Sequence, residues 1–353
     1  MKKTAFLCLA GAVLAAALAG CGGQNKGEGN SADRSNPGGG GRPQLGVAIY
    51  KFSDTFMIGV KSAIKASAKG VADYELVDSR NSQPDQNEQV DDFIDSGVDA
   101  MLVNPVDRTA AGVIIDKAQA AGIPVVFLNR EPLEGDMKKW DKAYYVGAQA
   151  KESGTMSGQL LADYWKTHPE ADKNGDGVLQ YAMLKGEPGH QDAELRTTFS
   201  IQAIEDAGIK VEKLAEDTAK WDRAKGQEKM AAFLETYGDR IEAVLANNDD
   251  MALGAIKALK AAGYFSGDKY MPVVGVDATE PAVKALKEGT MLGTVLNDAA
   301  NQGKAAVMLA AVLARGEVPT RENVGFEITD GQYIWISYKK ITKDNVEEAG
   351  QIQ

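Results

Sequence analysis

Cysteine is nearly absent from the chain. Its 353 residues include two, Cys8 and Cys21, and none follows. The folded body therefore has neither disulfides nor thiolate metal sites, and its stability has to come from buried apolar surface. An excess of positive charge is missing as well, since the formal net charge is -11. Nucleic acid is disfavoured as a partner, because binding phosphates needs a concentrated positive footprint. Long apolar runs are missing too. Hydrophobic residues make up 44% of the chain, but in short runs, which describes a globular body.

The one sustained apolar run, Ala5 to Leu18, follows Lys2 and Lys3 and precedes small residues. It is too short to span a bilayer and reads as a secretory signal over residues 1–20. Leu18, Ala19, Gly20 and Cys21 resemble a bacterial lipobox, which makes Cys21 an acylated first residue and a lipid chain the expected membrane contact. Residues 21–42 are Gly, Ser, Asn and charge without apolar periodicity, a flexible tether. About 310 residues remain, enough for two domains.

Beyond the tether, short apolar runs alternate with helical patterns, the mark of parallel sheets covered on both faces. LGVAIY, YELVDS, AMLVNP, PVVFLN and AYYVGA form one series. LQYAMLKG, KVEKLAED, EAVLANND, PVVGVDA and LGTVLND form a second, and FEITD and QYIWISY are the expected closing strands. The fold class is α/β, with two similar doubly wound lobes joined by a three-segment hinge. Residues 43–146 with 298–331 are assigned to the first lobe, and residues 147–297 with 332–353 to the second.

Ligands of such sheets bind beyond the carboxyl ends of the strands, where helix amino termini point. Those ends deliver Asp54 and Phe56, then Asn129, then His190, Asp192 and Arg196, then Trp221, Asn248, Asp277 and Asn297. Amides, carboxylates and a guanidinium pair with adjacent hydroxyls, and two aromatic faces sandwich the C–H faces of a ring. Together they describe a sugar site. A second feature precedes His190. Asp172, Asn174, Asp176, Gly177 and Gln180 fit positions one, three, five, six and nine of a calcium loop, but Met183 stands where position twelve needs a carboxylate.

The words YKFSDTF, LNREP, YYVG, GEPGH with DAELRTT, DTAKWD, ANND, GVDA and GTVLND resemble, in the same order, those of the bacterial galactose/glucose-binding proteins. These are type I periplasmic sugar-binding proteins that feed an ABC transporter. The resemblance implies that the ten strand-end residues contact the sugar and that Asp54 accepts from the 4-hydroxyl of either epimer. It also implies a structural Ca²⁺ completed by Glu242 and the Val178 carbonyl. An ABC permease is the implied partner, the chain being a monomer outside the cytoplasm with no chemistry of its own. Gln191 departs from the family, which usually has Pro there. Ribose or another monosaccharide is the alternative ligand. A glycoside hydrolase using Asp54 and Asp277 would be a different class, and nothing in the spacing demands it. The ligand core of a sugar-responsive repressor is disfavoured by the signal and by the absence of a helix-turn-helix ahead of Leu45.

Overall fold

Both faces of the first strand, β1 (Gln44–Ile49), are buried: Leu45, Val47 and Ile49 enter one apolar cluster and Ala48 another. Side chains alternate across a strand, so its sheet needs helices on both sides. The computed structural model, which describes residues 41–350, supplies them. After β1 come α1 (Thr55–Ala68), β2 (Asp73–Asp78), α2 (Gln83–Ser96), β3 (Ala100–Val103), α3 (Ala111–Ala121), β4 (Val125–Leu128), α4 (Glu134–Met137) and β5 (Ala143–Gly147). These five strands pair in parallel in the order β2-β1-β3-β4-β5. Strand β4 repeats the alternation, with Val126 and Leu128 on one face and Val125 and Phe127 on the other.

The second series is α5 (Ala150–Thr167), β6 (Val178–Lys185), α6 (Gln191–Asp206), β7 (Lys210–Thr218), α7 (Arg223–Tyr237), β8 (Ala243–Ala246), α8 (Asp249–Ala261), β9 (Val273–Val274) and α9 (Glu280–Lys287). Its sheet runs β7-β6-β8-β9, also parallel. Ala182 and Leu184 of β6 face one cluster, and Leu179, Tyr181 and Met183 the other. Helices α5 and α6 touch backbone to backbone. A Cβ on Gly158 would lie 2.1 Å from the Ser200 carbonyl oxygen, so only glycine permits that approach.

The closing segments are β10 (Thr294–Leu296), α10 (Ala299–Ala314), α11 (Arg321–Val324), β11 (Tyr333–Trp335) and β12 (Lys339–Ile341). Here the structure departs from the expected closing strands. FEITD is not a strand: Thr329 donates its N–H to the Tyr333 carbonyl, and Asp330 and Gly331 between them have φ of 49° and 73°, a tight reversal. Strand β11 then joins β5 in the first sheet. Tyr333 stacks on Trp335 at 5.4 Å, and Tyr145 of β5 meets both rings edge-on. The assignment of 332–353 to the second lobe therefore starts too early, because that aromatic cluster holds residues 333–335 on the first sheet. The chain leaves it between Trp335 and Lys339, and β12 pairs antiparallel with β10. Three segments thus link the two sheets, after Gly147, after Leu296 and after Trp335. Two of them are tied together where the Ile336 N–H donates to the Gly147 carbonyl at 2.7 Å.

The signal, Cys21 and most of the tether lie outside the described residues. Among the described residues no helix is long and apolar enough to cross a membrane.

Candidate functional site

In each sheet the strand order reverses direction once, between β1 and β3 in the first and between β6 and β8 in the second. A crevice opens at such a switch point. Loops after β1 and β4 and after β6, β7, β8 and β9 converge on one cavity, lined by Tyr50, Asp54, Phe56 and Asn129 from the first series and by His190, Asp192, Arg196, Trp221, Asn248 and Asp277 from the second. Asn297, at the end of β10, completes the wall. All ten strand-end residues singled out from the sequence are brought together here.

Several hold their place by starting a helix. The first N–H groups of a helix need acceptors. Asp54 Oδ1 accepts from Met57 N at 2.9 Å, and Asn248 Oδ1 accepts from Met251 N at 3.0 Å. His190 Nδ1 accepts from Asp192 N at 3.1 Å, which leaves Nε2 as the protonated nitrogen of a neutral ring. Burial, reinforced by Arg130, Arg196 and Arg108, holds the His190 pKa well below its ordinary value. Other wall residues are strained. Asn129 and Trp221 have φ of 65° and 62°, and Asp277 has 120°, conformations that cost on the order of 1–3 kcal/mol each and gather at ligand sites.

Charge is concentrated at the floor. Arg196 is buried and donates to Asp192 Oδ2, Asn247 O, Ser153 Oγ and Tyr338 Oη, at 3.0 to 3.1 Å. Burial opposes its charge, but Tyr338, Asp192 and Asp277 outweigh that and hold it above its ordinary range. Burial raises the Asp192 carboxyl, with Arg196, Arg130 and Arg108 offsetting part of the effect. Asp277 is raised further by its burial, against the pull of Arg196. It accepts from Asn297 Nδ2 at 3.3 Å, and Asn297 in turn accepts from Gln302 Nε2 at 2.6 Å.

Trp221 packs edge-on against His190 with centroids 4.9 Å apart, and its indole N–H is buried without a partner. The ring lies so close to Gly186 that an added Cβ would sit 2.1 Å from Cζ2. We expect Gly186→Ala to displace the indole and to destabilise the fold by about 1–3 kcal/mol. Urea unfolding measures the loss, and near-ultraviolet circular dichroism reports the moved ring. An unchanged spectrum would show that the pocket accommodates the methyl.

The acidic loop ahead of β6 is also ordered. Asp172 accepts from Gly175 N and Gly177 N at 2.8 and 2.9 Å, and Asp176 accepts from Val178 N at 2.8 Å and from the Asn174 and Gln180 amides at 2.9 Å. Glu242, buried just before β8, reaches this loop and accepts from Lys173 N and Gln180 N through its two oxygens. Met183 points into the core at 1% exposure, which explains why position twelve holds no carboxylate. Among the described residues no three His, Cys, Asp or Glu side chains cluster as a metal site. The remaining ligand candidates, Asn174, the Val178 carbonyl and Gln180, are neutral oxygens, and Gln180 Oε1 is buried with no partner.

Tyr50, Met57 and Arg130 also line the cavity, and the strand-end reading does not include them as ligand contacts. Tyr50 ends LGVAIY and Arg130 follows Asn129, so their positions past strand ends were the available signal.

Two parallel sheets meeting at one polar, aromatic-walled cavity, with three linking segments, define a receptor of the two-sheet binding-protein class. The chain belongs to the family described as the periplasmic binding protein domain, whose model matches residues 45–317. It is 44% identical over 306 residues to the D-galactose/methyl-galactoside binding periplasmic protein MglB of Haemophilus influenzae, covering 86% of this chain and 90% of that one. Ribose import binding protein RbsB of Bacillus subtilis is 30% identical, over 77% of this chain and 82% of the relative. Among solved structures, an ABC transporter solute binding protein from Bacillus halodurans with bound myo-inositol superposes with a TM-score of 0.75 at 34% identity, covering 90% of this chain and 100% of that one.

Proposed function

We propose that the chain is an extracytoplasmic lipoprotein, anchored through Cys21, that binds D-glucose or D-galactose in this cavity and passes it to an ABC permease without altering it. The convergence of ten hydrogen-bonding and aromatic side chains from both sheets on one cavity carries the reading. Each Asp54 oxygen accepts one protein hydrogen and keeps acceptor capacity for a hydroxyl, since an ionised carboxylate has about four lone-pair sites. His190 Nε2 and the orphan Trp221 indole N–H supply donors. A ring held by both sheets favours their closed arrangement through its contacts with each, and the three linking segments are the hinge. The galactoside-binding relative supports a hexose.

Calorimetry with glucose, galactose, ribose and myo-inositol tests this. Micromolar or tighter binding of one or both hexoses is expected. Heat from ribose or myo-inositol alone would replace the hexose, and no heat from any of the four would end the sugar reading.

Calcium is part of the same proposal. Asp172, Asn174, Asp176, Gln180, Glu242 and the Val178 carbonyl would hold it. The orphan Gln180 Oε1 and the buried, burial-raised carboxyl of Glu242 are what a hard cation would relieve. An ion bound by the folded state alone stabilises it, so chelation should lower the thermal midpoint by about 5 °C or more. Glu242→Gln should remove that dependence. Equal midpoints with and without chelator would exclude the ion.

A further inference from the structure

Polar contacts join the two halves of the molecule, and one of them continues into the binding wall, which Arg130 lines. Arg130, just past β4, lies in the first half and is 5% exposed, and its Nη2 pairs with Oε2 of Glu187, past β6, at 3.2 Å. Within its own half the guanidinium is already fixed. Its Nη1 donates to the Val106 carbonyl at 2.6 Å, and its plane lies 3.8 Å over the Tyr50 ring. Tyr50, itself buried, donates its hydroxyl to Asp54 Oδ2 at 2.6 Å. A second bridge stands elsewhere on the rim, where the Thr55 hydroxyl donates to Asp250 Oδ2 at 2.6 Å and Arg223 holds the same carboxylate.

We propose that Glu187 is a closure clasp, and that Arg130 and Tyr50 are positioning residues which lock Asp54 toward the ligand when the clasp engages. Closure brings only the Glu187 carboxylate to a guanidinium that is already oriented, so little order is lost in making the contact. The pair then blocks retreat of the two halves, and its effect falls on release of the ligand rather than on capture. Glu187 is 26% exposed at its side chain, so dissolved ions reach the pair and weaken it. The proposal rests on the cavity being a sugar site for its kinetic arm alone.

Stopped-flow tryptophan fluorescence on the full chain is the test. Glu187→Gln should raise the dissociation rate of the bound hexose about five- to twenty-fold and leave association within about two-fold, as expected for loss of a partly buried charge pair. Added potassium chloride should speed dissociation from the wild type and not from Glu187→Gln, a response that a purely structural role would not produce. Tyr50→Phe should speed dissociation too, yet keep the salt response, because it cuts the leg to Asp54 and spares the clasp. Small-angle scattering without ligand supplies a second arm, with Glu187→Gln showing the larger radius of gyration. Wild-type binding with equal dissociation rates overturns the clasp. If the wild type binds no sugar, the sugar reading fails separately, and equal radii then overturn the clasp as well.

Discussion

Trp221→Ala is expected to weaken sugar binding by about 30- to 1,000-fold, or about 2–4 kcal/mol, the range of a buried aromatic anchor. The ring has no substitute. Trp221 sits at φ 62° between β7 and α7, braced edge-on by His190 and with the Arg196 guanidinium 5.9 Å from its centroid. Alanine removes a face of the proposed sandwich and the unpaired indole N–H together. Because the residue is only partly buried against the core, the thermal midpoint should move little. Calorimetry separates the two effects. Binding within three-fold of the wild type would show that the indole is not a ligand wall, and the sandwich with Phe56 would fall with it.

Arg196→Met should be the most damaging single change to stability, about 3–5 kcal/mol by urea unfolding. Removing one member of a buried pair leaves the other charge without compensation. Here the loss is wider than one pair. Arg196 ties α6 to α5 through Ser153, to the end of β8 through Asn247, and to the third linking segment through Tyr338. Lysine would not rescue it, because a point charge cannot reproduce the planar fork. Adding Asp192→Asn to Arg196→Met should restore part of the loss, since it removes the stranded carboxylate. A double variant no more stable than Arg196→Met would place the cost in the three other bonds instead.

Much of this site was legible because its residues also do local work. Asp54, His190 and Asn248 cap helices, and a helix that follows a buried strand needs such a residue at its start. The near-unbroken apolar runs of β1, β4 and β6, which are buried on both faces, likewise made the strands visible. Local rules failed where long-range packing chose. FEITD has a strand's composition but turns back, and β11 joins the first sheet because Tyr145 awaits Tyr333 and Trp335 there.

By itself the sequence determined two parallel sheets, a cysteine-free body and which strand ends carry amides, acids and aromatics, because periodicity and capping act within a few residues of chain. Tertiary structure alone decided that Glu187 meets Arg130 and that the last crossing waits until after Trp335. Those pairings join segments far apart in the chain, and which distant groups come within hydrogen-bonding reach depends on how the two sheets face each other.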